Sequence, residues 1–375
     1  MQRLAVGWVL GLALLACGDD GSSSGGQGGS GGAVGDGAGG ASVPQGGGGA
    51  RASGGGGAGG EVPVADVHLV GRYLDREASW SGSSALATMT GPSASVRLAG
   101  AGGLWFEVVI DGAPVGRFET SGGEQVYELA TDLAAGEHSV EIVRRNEAFF
   151  GSFTFLGFEP QEAIVPSPYP YQHRIEFIGD SLTCGYGIEG DSAQCNFSAT
   201  TESAYSTYAL EAARKVDAAA HLVCFSGKGV HQNYGGDTNE PMPELYPRTF
   251  VGSATPAWDP SAFPADVVVI NLGTNDFSAA LDEAAFVADY VTLLQTVRAR
   301  HPSAYLLGVT WAHWGATNEG LVEQALATFA DPSSGTLQFS IDPADGLGCD
   351  YHTNVVTNAK LGDLLAETLV ERHGW

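Results

Sequence analysis

The sequence predicts an all-β sandwich followed by a doubly wound α/β domain with a parallel sheet. Three observations support this prediction. Within residues 62–165, short alternating runs are separated by Gly-rich turns, and no stretch has the length and period of an ordinary helix. Within residues 166–375, apolar runs of strand length alternate with longer helical stretches. Residues 1–61 contain neither pattern.

Residues 1–17 have the features of an export signal. A short basic start precedes an apolar run that is too brief to span a bilayer, and small residues lead to a cysteine. The run Leu14-Leu15-Ala16-Cys17 resembles the bacterial lipoprotein cleavage box, which would make Cys17 the first mature residue and the site of acylation. The alternative is ordinary secretion with Cys17 discarded. We therefore expect an exported protein, either secreted or held in the cell envelope at the outer surface or in the periplasm.

The segment 18–61 predicts a flexible tether. It consists almost entirely of Gly, Ser and Ala, so it cannot bury enough apolar surface to offset the entropy lost on ordering. Such a chain behaves as a random coil.

The formal net charge of −26 restricts the partners. An acidic surface repels nucleic acid and anionic lipid, and it suits a neutral or sugar-like substrate better than a polyanion. We expect no nucleic-acid partner, contact with a membrane only through the lipid anchor, and a monomer.

The sandwich, resembling a jelly roll, is expected to contain eight or nine strands. The clearest alternating runs are 94–98, 104–110 and 138–143. Trp80 and Trp105 are its candidate glycan-binding aromatics, although a tryptophan in a strand usually belongs to the core.

Four strands and four helices are predicted in the second domain. The run Val267-Val268-Val269-Ile270 has no polar alternation, which is typical of a strand buried on both faces of a parallel sheet. The predicted strands are 175–178, 222–225, 267–272 and 305–309, and the predicted helices are 203–216, 283–301, 319–330 and 354–371. Ligands of such domains bind beyond the carboxyl ends of the strands.

Four cysteines follow Cys17, and an exported chain can oxidise them. Four cysteines allow three connectivities. Cys184 and Cys195 flank a Gly-rich loop, so we expect a disulfide between them. Cys224 lies in an apolar run and is expected to remain a buried thiol.

The first three predicted strands of the α/β domain all end in small or polar residues, at 179–181, 226–229 and 273–276. Ser181 is a candidate nucleophile, and it requires a base for its proton and donors for an oxyanion. The backbone N–H groups of Ser181 and Gly229 and the amide of Asn275 are candidate donors. The alternative for Asn275 is an Asx turn within its own loop.

Three histidines follow strand ends and are candidate bases: His231, His313 and His352. His352 is preferred because Asp350 lies two residues before it, where a carboxylate could fix the tautomer of the imidazole.

The residues singled out above resemble the four conserved blocks of the GDSL, or SGNH, hydrolase superfamily, in the expected order: Gly179-Asp180-Ser181-Leu182, Gly229, Gly273-Thr274-Asn275-Asp276 and Asp350-Tyr351-His352. The run Ser181-Leu182-Thr183-Cys184-Gly185-Tyr186-Gly187, the turn at 226–229 and the preceding sandwich are similar to carbohydrate esterase family two, across roughly residues 65–375.

This resemblance implies a flavodoxin-like hydrolase domain that needs no cofactor and removes O-acetyl groups from plant polysaccharides such as xylan and glucomannan. By position, Ser181 would be the nucleophile and His352 the general base and acid. The Ser181 backbone, Gly229 and Asn275 would form the oxyanion hole. The superfamily usually places its Asp three residues before the His, where this chain has Cys349. A backbone carbonyl is therefore an alternative to Asp350 as the support of His352.

Aromatic residues near the strand ends are candidate sugar-binding groups: Tyr351, Trp311, Trp314, Tyr186 and Tyr234. Core packing is the alternative for each of them. Asp180 and Asp276 could be read as a glycosidase carboxylate pair, but we interpret them as acceptors that hold their turns. No metal-binding motif is present in the sequence.

Two rival functions remain open at this stage. One is an esterase of the same chemistry that acts on another acyl substrate, such as a lysophospholipid. The other is a surface lipoprotein that binds glycan without turnover, since a displacement of a catalytic loop by about 1 Å can lower the rate on the order of a hundredfold without changing any of the residues named above.

Overall fold

The strands of residues 64–168 are antiparallel, whereas those of the main sheet within residues 173–339 are parallel. The computed structural model describes residues 64–375, so the predicted signal, Cys17 and the predicted tether lie outside the described residues. The strands are β1 (Val64–Ala65), β2 (His68–Val70), β3 (Glu77–Ala78), β4 (Ser84–Thr90), β5 (Ala94–Gly100), β6 (Gly102–Ile110), β7 (Ala113–Ser121), β8 (Gln125–Ala130), β9 (Glu137–Arg144), β10 (Phe153–Pro160), β11 (Ala163–Val165), β12 (Ser167–Pro168), β13 (His173–Gly179), β14 (Ala218–Cys224), β15 (Arg248–Phe250), β16 (Ser253–Ala257), β17 (Val267–Asn271), β18 (Tyr305–Trp311) and β19 (Ser334–Phe339). The helices are α1 (Ser181–Cys184), α2 (Tyr208–Lys215), α3 (Met242–Leu245), α4 (Glu283–Arg300), α5 (Ala316–Phe329) and α6 (Val355–His373).

The predicted sandwich is confirmed. One sheet has the order β3-β10-β5-β8, and the other has the order β11-β4-β9-β6-β7 with β2 paired to β4. Alternate side chains face inward, as in β5, where Val96 and Leu98 are buried beside Phe106 and Phe153. The sheets contain more strands than expected, because β2, β3 and β11 are too short to show an alternating pattern.

The predicted parallel sheet is also confirmed, in the order β14-β13-β17-β18-β19. Numbered within the domain, this is the 2-1-3-4-5 order of flavodoxin-like folds. Val267 and Val269 pack in one core cluster, and Val268 and Ile270 pack in another, which explains the absence of polar residues from that run. The sequence analysis missed the edge strand β19, whose side chains are mostly exposed or half-buried.

Helices cover both faces of the parallel sheet. Residues of α2 and α6 belong to one core cluster, and residues of α4 and α5 belong to the other. The four helices were predicted, with end points that differ by up to five residues from those observed. Among residues 64–375, no helix combines the length and apolarity that a membrane crossing requires.

The sandwich is joined to the hydrolase domain through buried polar contacts. Arg72 forms a salt bridge of 3.0 Å with Glu176 of β13, and Trp80 Nε1 donates to the Thr249 carbonyl at 2.9 Å. Trp80 is only 1% exposed, so it belongs to this junction and cannot contact glycan from solution. Trp105 is half-buried beneath the Arg117 guanidinium. The described residues place both domains in one compact unit.

Candidate active site

Ser181 lies at the carboxyl edge of the sheet, in the tight turn that follows β13. A side chain on Gly179 would collide with Thr183, since its Cβ would lie 2.0 Å from the Thr183 hydroxyl oxygen. Asp180 caps α1, with Oδ1 accepting from Leu182 N at 3.0 Å. Gly185 then ends this short helix in the left-handed conformation. These constraints fix the direction of the Ser181 side chain.

His352 meets the Ser181 hydroxyl. The Ser181 Oγ lies 2.9 Å from His352 Nε2, and His352 Nδ1 lies 3.0 Å from the Asp350 carbonyl oxygen. Because a carbonyl only accepts, Nδ1 carries the proton of the neutral ring and Nε2 presents its lone pair to the serine. Burial lowers the pKa of His352, partly opposed by the Asp350 carbonyl and carboxylate. The imidazole is therefore held in the form that accepts a proton.

The predicted bond between the Asp350 carboxylate and His352 is not formed. Asp350 Oδ2 instead accepts from the Phe197 backbone N–H at 2.9 Å and from the Tyr186 hydroxyl at 3.2 Å. Asp350 and Tyr351 have φ angles of 48° and 62°, which turn the Asp350 carbonyl, rather than its side chain, toward the imidazole. The alternative of a backbone carbonyl supporting His352 matches this geometry.

The three candidate oxyanion donors lie on connected loops. Asn275 Nδ2 donates to Asp180 Oδ2 at 3.1 Å and to the Lys228 carbonyl at 2.9 Å, so it links the turns that contain Ser181 and Gly229. The Gly229 N–H lies 3.3 Å from Asn233 Oδ1, at the long end of the hydrogen-bonding range. Within residues 64–375, no protein acceptor contacts the Ser181 N–H.

Gly229 is required by close packing. A Cβ at this position would lie 2.0 Å from the Gln232 carbonyl oxygen and 2.4 Å from Asp276 Oδ2. Asp276 accepts the backbone N–H groups of Val230, His231 and Gln232. This geometry agrees with the interpretation of Asp276 as a residue that holds its turn.

Asp180 is a buried carboxyl group. Burial raises the pKa of Asp180 to about 7, with the Leu182 N–H opposing the shift and the charges of Asp276 and Glu147 adding to it. Its oxygens are occupied by Leu182 and Asn275. The side chain therefore shapes the turn, as interpreted from the sequence, and has no free oxygen for glycoside chemistry.

The two tryptophans after β18 differ in position. Trp311 is fully buried, and its Nε1 donates to Asn271 Oδ1 at 2.8 Å. The sugar-contacting role predicted for Trp311 is therefore wrong, because β18 continues through this residue and directs its side chain into the core. Trp314 is half-buried, with its ring 5.0 Å from that of Phe277, and it lies over Gly273.

The three tyrosines differ in exposure and in their contacts. Tyr351 is 41% exposed and Tyr234 is 38% exposed. Tyr186 is half-buried, with its ring 4.6 Å from the His352 ring and stacked on Phe197 at 4.0 Å. Tyr186 thus supports the catalytic ring from the side, while Tyr351 and Tyr234 offer faces to solvent.

The other two candidate bases do not meet the serine. His231 Nδ1 lies 2.7 Å from Asp289 Oδ2, and the His313 ring lies beside that of Trp311 at 5.5 Å. Within the described part of the chain, no group of three or more acidic, histidine or cysteine side chains is arranged to hold a metal ion.

The predicted Cys184–Cys195 disulfide is wrong. Cys184 bonds to Cys224, and Cys195 bonds to Cys349. Parallel pairing sets Gly179 of β13 opposite Cys224 of β14, so the residues just past Gly179 come close to Cys224. Cys224 is therefore not a free thiol. The neighbouring positions of the first two strands could have indicated this pairing.

The two disulfides stabilise the segments that carry the catalytic groups. Cys184–Cys224 connects the nucleophile turn to the strand that leads into the Gly229 loop. Cys195–Cys349 connects the Gly-rich loop to the segment that contains His352, and Asp350 N donates to the Cys195 carbonyl at 2.9 Å.

Sequence reasoning missed the contribution of the sandwich to this site. Glu147, just after β9, is fully buried and accepts hydrogen bonds from Ser226 of the Gly229 loop. Nearby, the half-exposed ring of Phe149 approaches Phe197 at 6.3 Å and Phe225 at 5.9 Å. The charged and aromatic run directly after a strand was the available signal.

Two family models match the chain in the order of its domains. Residues 71–168 match "Carbohydrate esterase 2 N-terminal", and residues 177–335 match "GDSL-like Lipase/Acylhydrolase family". The curated relatives include "Cellulase/esterase CelE" of Acetivibrio thermocellus, which is 33% identical over 307 residues, covering 79% of this chain and 38% of that protein. An "Acetylxylan esterase / glucomannan deacetylase" of Cellvibrio japonicus is 31% identical over 214 residues, covering 55% of this chain and 58% of that protein. The chain thus spans well under two thirds of both relatives.

A solved structure matches over both domains. It is a family two carbohydrate esterase from Clostridium thermocellum in complex with cellohexaose, 32% identical to this chain, with a TM-score of 0.79. The match covers 82% of this chain and 99% of that one. A carbohydrate esterase family 2 enzyme from Corynascus thermopiles (Myceliophthora fergusii) is 29% identical, with a TM-score of 0.73, and the match covers 82% of this chain and all of that one. Both domain models match in the same order, and the solved esterase is matched over 99% of its length at 32% identity, so the chain belongs to carbohydrate esterase family two.

Proposed function

We propose that the protein is a serine esterase that removes O-acetyl groups from plant cell-wall polysaccharides, either acetylated xylan or glucomannan. The observation that carries this proposal is the 2.9 Å contact between Ser181 Oγ and the unprotonated Nε2 of His352. The names of the relatives, a cellulase/esterase and an acetylxylan esterase / glucomannan deacetylase, support the same substrate class.

The geometry suggests the following sequence of steps. His352 Nε2 takes the Ser181 proton as Oγ attacks the acetyl carbonyl. The oxyanion is stabilised by the Ser181 N–H, with the Gly229 N–H and the Asn275 amide exchanging a protein acceptor for it. The sugar oxygen then leaves with the proton from His352, and an acetyl-enzyme remains. Water, activated by His352, hydrolyses this ester and releases acetate.

The surface around the serine suits a neutral sugar. Tyr351 and Tyr234 expose aromatic faces, and Trp314 lies half-buried beside Gly273. The net charge of −26 disfavours a polyanionic polymer. A lysophospholipid or another acyl ester remains the alternative substrate, and glycan binding without turnover is the second candidate function. The relative solved with cellohexaose favours the latter, because that ligand carries no acetyl ester.

The test follows acetate release from acetylated glucomannan, acetylated xylan and a long-chain aryl ester, using the unmodified protein, Ser181→Ala and His352→Ala. Release that is lost in both variants, with the long-chain ester left intact, supports the polysaccharide deacetylase. Cleavage of the long-chain ester alone supports the acyl-ester alternative. Retention on the polymer without acetate release supports glycan binding.

We also propose that the protein is exported, acylated at Cys17 and monomeric. The Leu14-Leu15-Ala16-Cys17 run supports acylation, and the two disulfides support an oxidising compartment. Incorporation of labelled palmitate that disappears in Cys17→Ser tests the anchor, and light scattering of the soluble form tests the monomer. Palmitate label that persists in Cys17→Ser contradicts the anchor.

A further inference from the structure

One carboxylate of the sandwich holds the first residue of the loop that leads to Gly229. The Ser226 backbone N–H donates to Glu147 Oε2 at 2.7 Å, and the Ser226 hydroxyl donates to Glu147 Oε1. Glu147 has no exposed surface, and it lies 79 residues before Ser226 in the chain. The contact therefore crosses from one domain to the other at the edge of the candidate active site.

The Gly229 loop is held by acidic side chains at both ends. Glu147 fixes Ser226 at its start, and Asp276 accepts the N–H of Val230 just past Gly229 at 2.9 Å. Between these points, the Lys228 carbonyl accepts from Asn275 Nδ2 at 2.9 Å. A displacement of Ser226 would therefore move both the Gly229 N–H and the acceptor that orients the Asn275 amide.

Glu147 is itself tightly held. Its backbone N–H donates to Glu202 Oε2 at 3.2 Å, and its carbonyl accepts from Arg144 Nη2 at 2.7 Å. Glu202 and Arg144 have no exposed surface. These two hydrogen bonds fix the Glu147 backbone, so its carboxylate is held in place where it contacts Ser226.

The protonation of the two glutamates agrees with this role. Burial raises the pKa of Glu147, whereas the two Ser226 donors oppose the rise. Burial and the neighbouring Glu147 charge raise the pKa of Glu202 well above its ordinary value. The proton of the pair therefore belongs on Glu202, which leaves Glu147 ionised as the acceptor of the two Ser226 bonds.

We infer that Glu147 is a positioning residue for the deacetylation reaction: through Ser226, the sandwich sets the position of the Gly229 donor at which the oxyanion forms. The inference rests on the proposed serine esterase function. It assigns the sandwich a part in catalysis rather than only in glycan binding or stability. A merely structural role for Glu147 predicts a loss of stability without a specific loss of kcat.

The test measures kcat and KM for 4-nitrophenyl acetate with Glu147→Ala, Glu147→Gln and Ser226→Ala. We expect Glu147→Ala to lower kcat about 100-fold with KM changed less than about 3-fold, as for a misplaced oxyanion donor. Glu147→Gln should retain kcat within about 5-fold, because its amide oxygen can accept the Ser226 N–H and its NH₂ can donate to the Ser226 hydroxyl oxygen. Glu107→Ala is the matched control: this buried sandwich carboxylate pairs with Arg145 and does not contact the loop.

A second measurement covers the case in which Glu147→Ala does not fold. The affinity for phenylboronic acid, which forms a tetrahedral adduct with an active serine, should fall together with kcat in Ser226→Ala, where only the hydroxyl bond is lost. A kcat equal to that of the unmodified protein in Ser226→Ala, and in Glu147→Ala where that variant folds, would overturn the inference. A loss of kcat in Glu107→Ala as large as in the Glu147 and Ser226 variants would also overturn it.

Because 4-nitrophenyl acetate contains no sugar, it tests the role of Glu147 independently of which polysaccharide is the substrate. If the unmodified protein hydrolyses 4-nitrophenyl acetate but releases no acetate from polysaccharide, the polymer assignment fails while the variants still decide the role of Glu147. If it does not hydrolyse the small ester at all, the serine esterase function and this inference fail together.

Discussion

Two buried charge clusters join the sandwich to the hydrolase domain, and they are built in opposite ways. Glu176, within β13, lies 3.0 Å from Arg72 and 3.1 Å from His301. Asp180, just past the end of the same strand, and Glu147, just after β9, form no salt bridge with any residue of the described chain. The first cluster pairs a carboxylate with a guanidinium and an imidazole, whereas the second brings acidic groups together.

The pKa of Glu176 is lowered and that of Asp180 is raised, because only Glu176 has a guanidinium beside it. Burial opposes ionisation of Glu176, yet Arg72 and His301 hold the pKa of its carboxyl well below the ordinary value. Burial raises the pKa of Asp180 to about 7. Unlike Glu176, the acidic groups near Ser181 have no guanidinium partner, and they accept hydrogen bonds mainly from backbone N–H groups and hydroxyls. They therefore shape catalytic loops, and the Arg72–Glu176 cluster attaches one domain to the other.

The largest expected effect is the loss of kcat when a residue beside Ser181, at the carboxyl edge of the sheet, is replaced. His352→Ala should lower kcat on the order of 10⁴-fold, because the serine loses its base. The free energy of unfolding should change by less than about 2 kcal/mol, since the imidazole makes one hydrogen bond to a backbone carbonyl, one to Ser181 and one ring contact with Tyr186. Kinetics on 4-nitrophenyl acetate and urea unfolding check both. A loss of several kcal/mol would show that this edge is also a structural support.

The opposite result is expected for the paired cluster. Arg72→Met should lower the free energy of unfolding by about 3 to 5 kcal/mol, because it leaves Glu176 buried without its guanidinium partner. The kcat of the folded fraction should change less than about 3-fold. Urea unfolding and active-site titration measure these quantities. The double variant Arg72→Met with Glu176→Gln is the matched control and should recover part of the stability, and no recovery would contradict the pairing argument.

The disulfide that supports the His352 segment should affect both quantities. Replacing Cys195 and Cys349 with Ser should cost about 2 to 4 kcal/mol of unfolding free energy. It should also lower kcat about 10-fold, because Cys349 directly precedes the residue whose carbonyl orients His352. The variant retains Cys184–Cys224, so both proteins are compared without a reductant, under conditions that keep that disulfide intact. Unchanged kcat in the variant would mean that backbone bonds alone hold this segment.

The same contrast explains which features could be predicted from the sequence. The run from Val267 to Ile270 predicted a strand buried on both faces, because every residue in it is apolar and this property can be read from the local sequence alone. Ser181 and His352 were identifiable because motif residues at strand ends lie near each other in this fold. The contact of Glu147 with Ser226 and the Cys195–Cys349 bond could not be read in this way, since each depends on how distant segments meet.

The direction in which a side chain or a backbone carbonyl points was the second feature that the sequence could not predict. Trp311 and Trp314 were both expected to follow the fourth strand, but β18 ends at Trp311, two residues past the predicted end at 309, and the Trp311 side chain is buried. Asp350 has the residue type of a triad member, whereas its positive φ presents the carbonyl to His352. Neither the end of a strand nor the sign of φ at an aspartate follows from residue type alone.

The smallest expected effect distinguishes the carbonyl from a carboxylate as the support of His352. The imidazole must be unprotonated to accept the serine proton, and burial lowers its pKa from 6.5. The acid limb of kcat/KM should therefore have its midpoint below 6.5, with activity falling as the pH drops through that value. Asp350→Asn removes a charge that opposes the shift, so the midpoint should move slightly lower still, while the plateau kcat stays within about 5-fold because the carbonyl remains. The pH profile of 4-nitrophenyl acetate hydrolysis measures both, with Asp289→Asn, beside His231, as the control. A plateau lowered by several orders of magnitude in Asp350→Asn would instead assign the aspartate carboxylate the role that the carbonyl has in this structure.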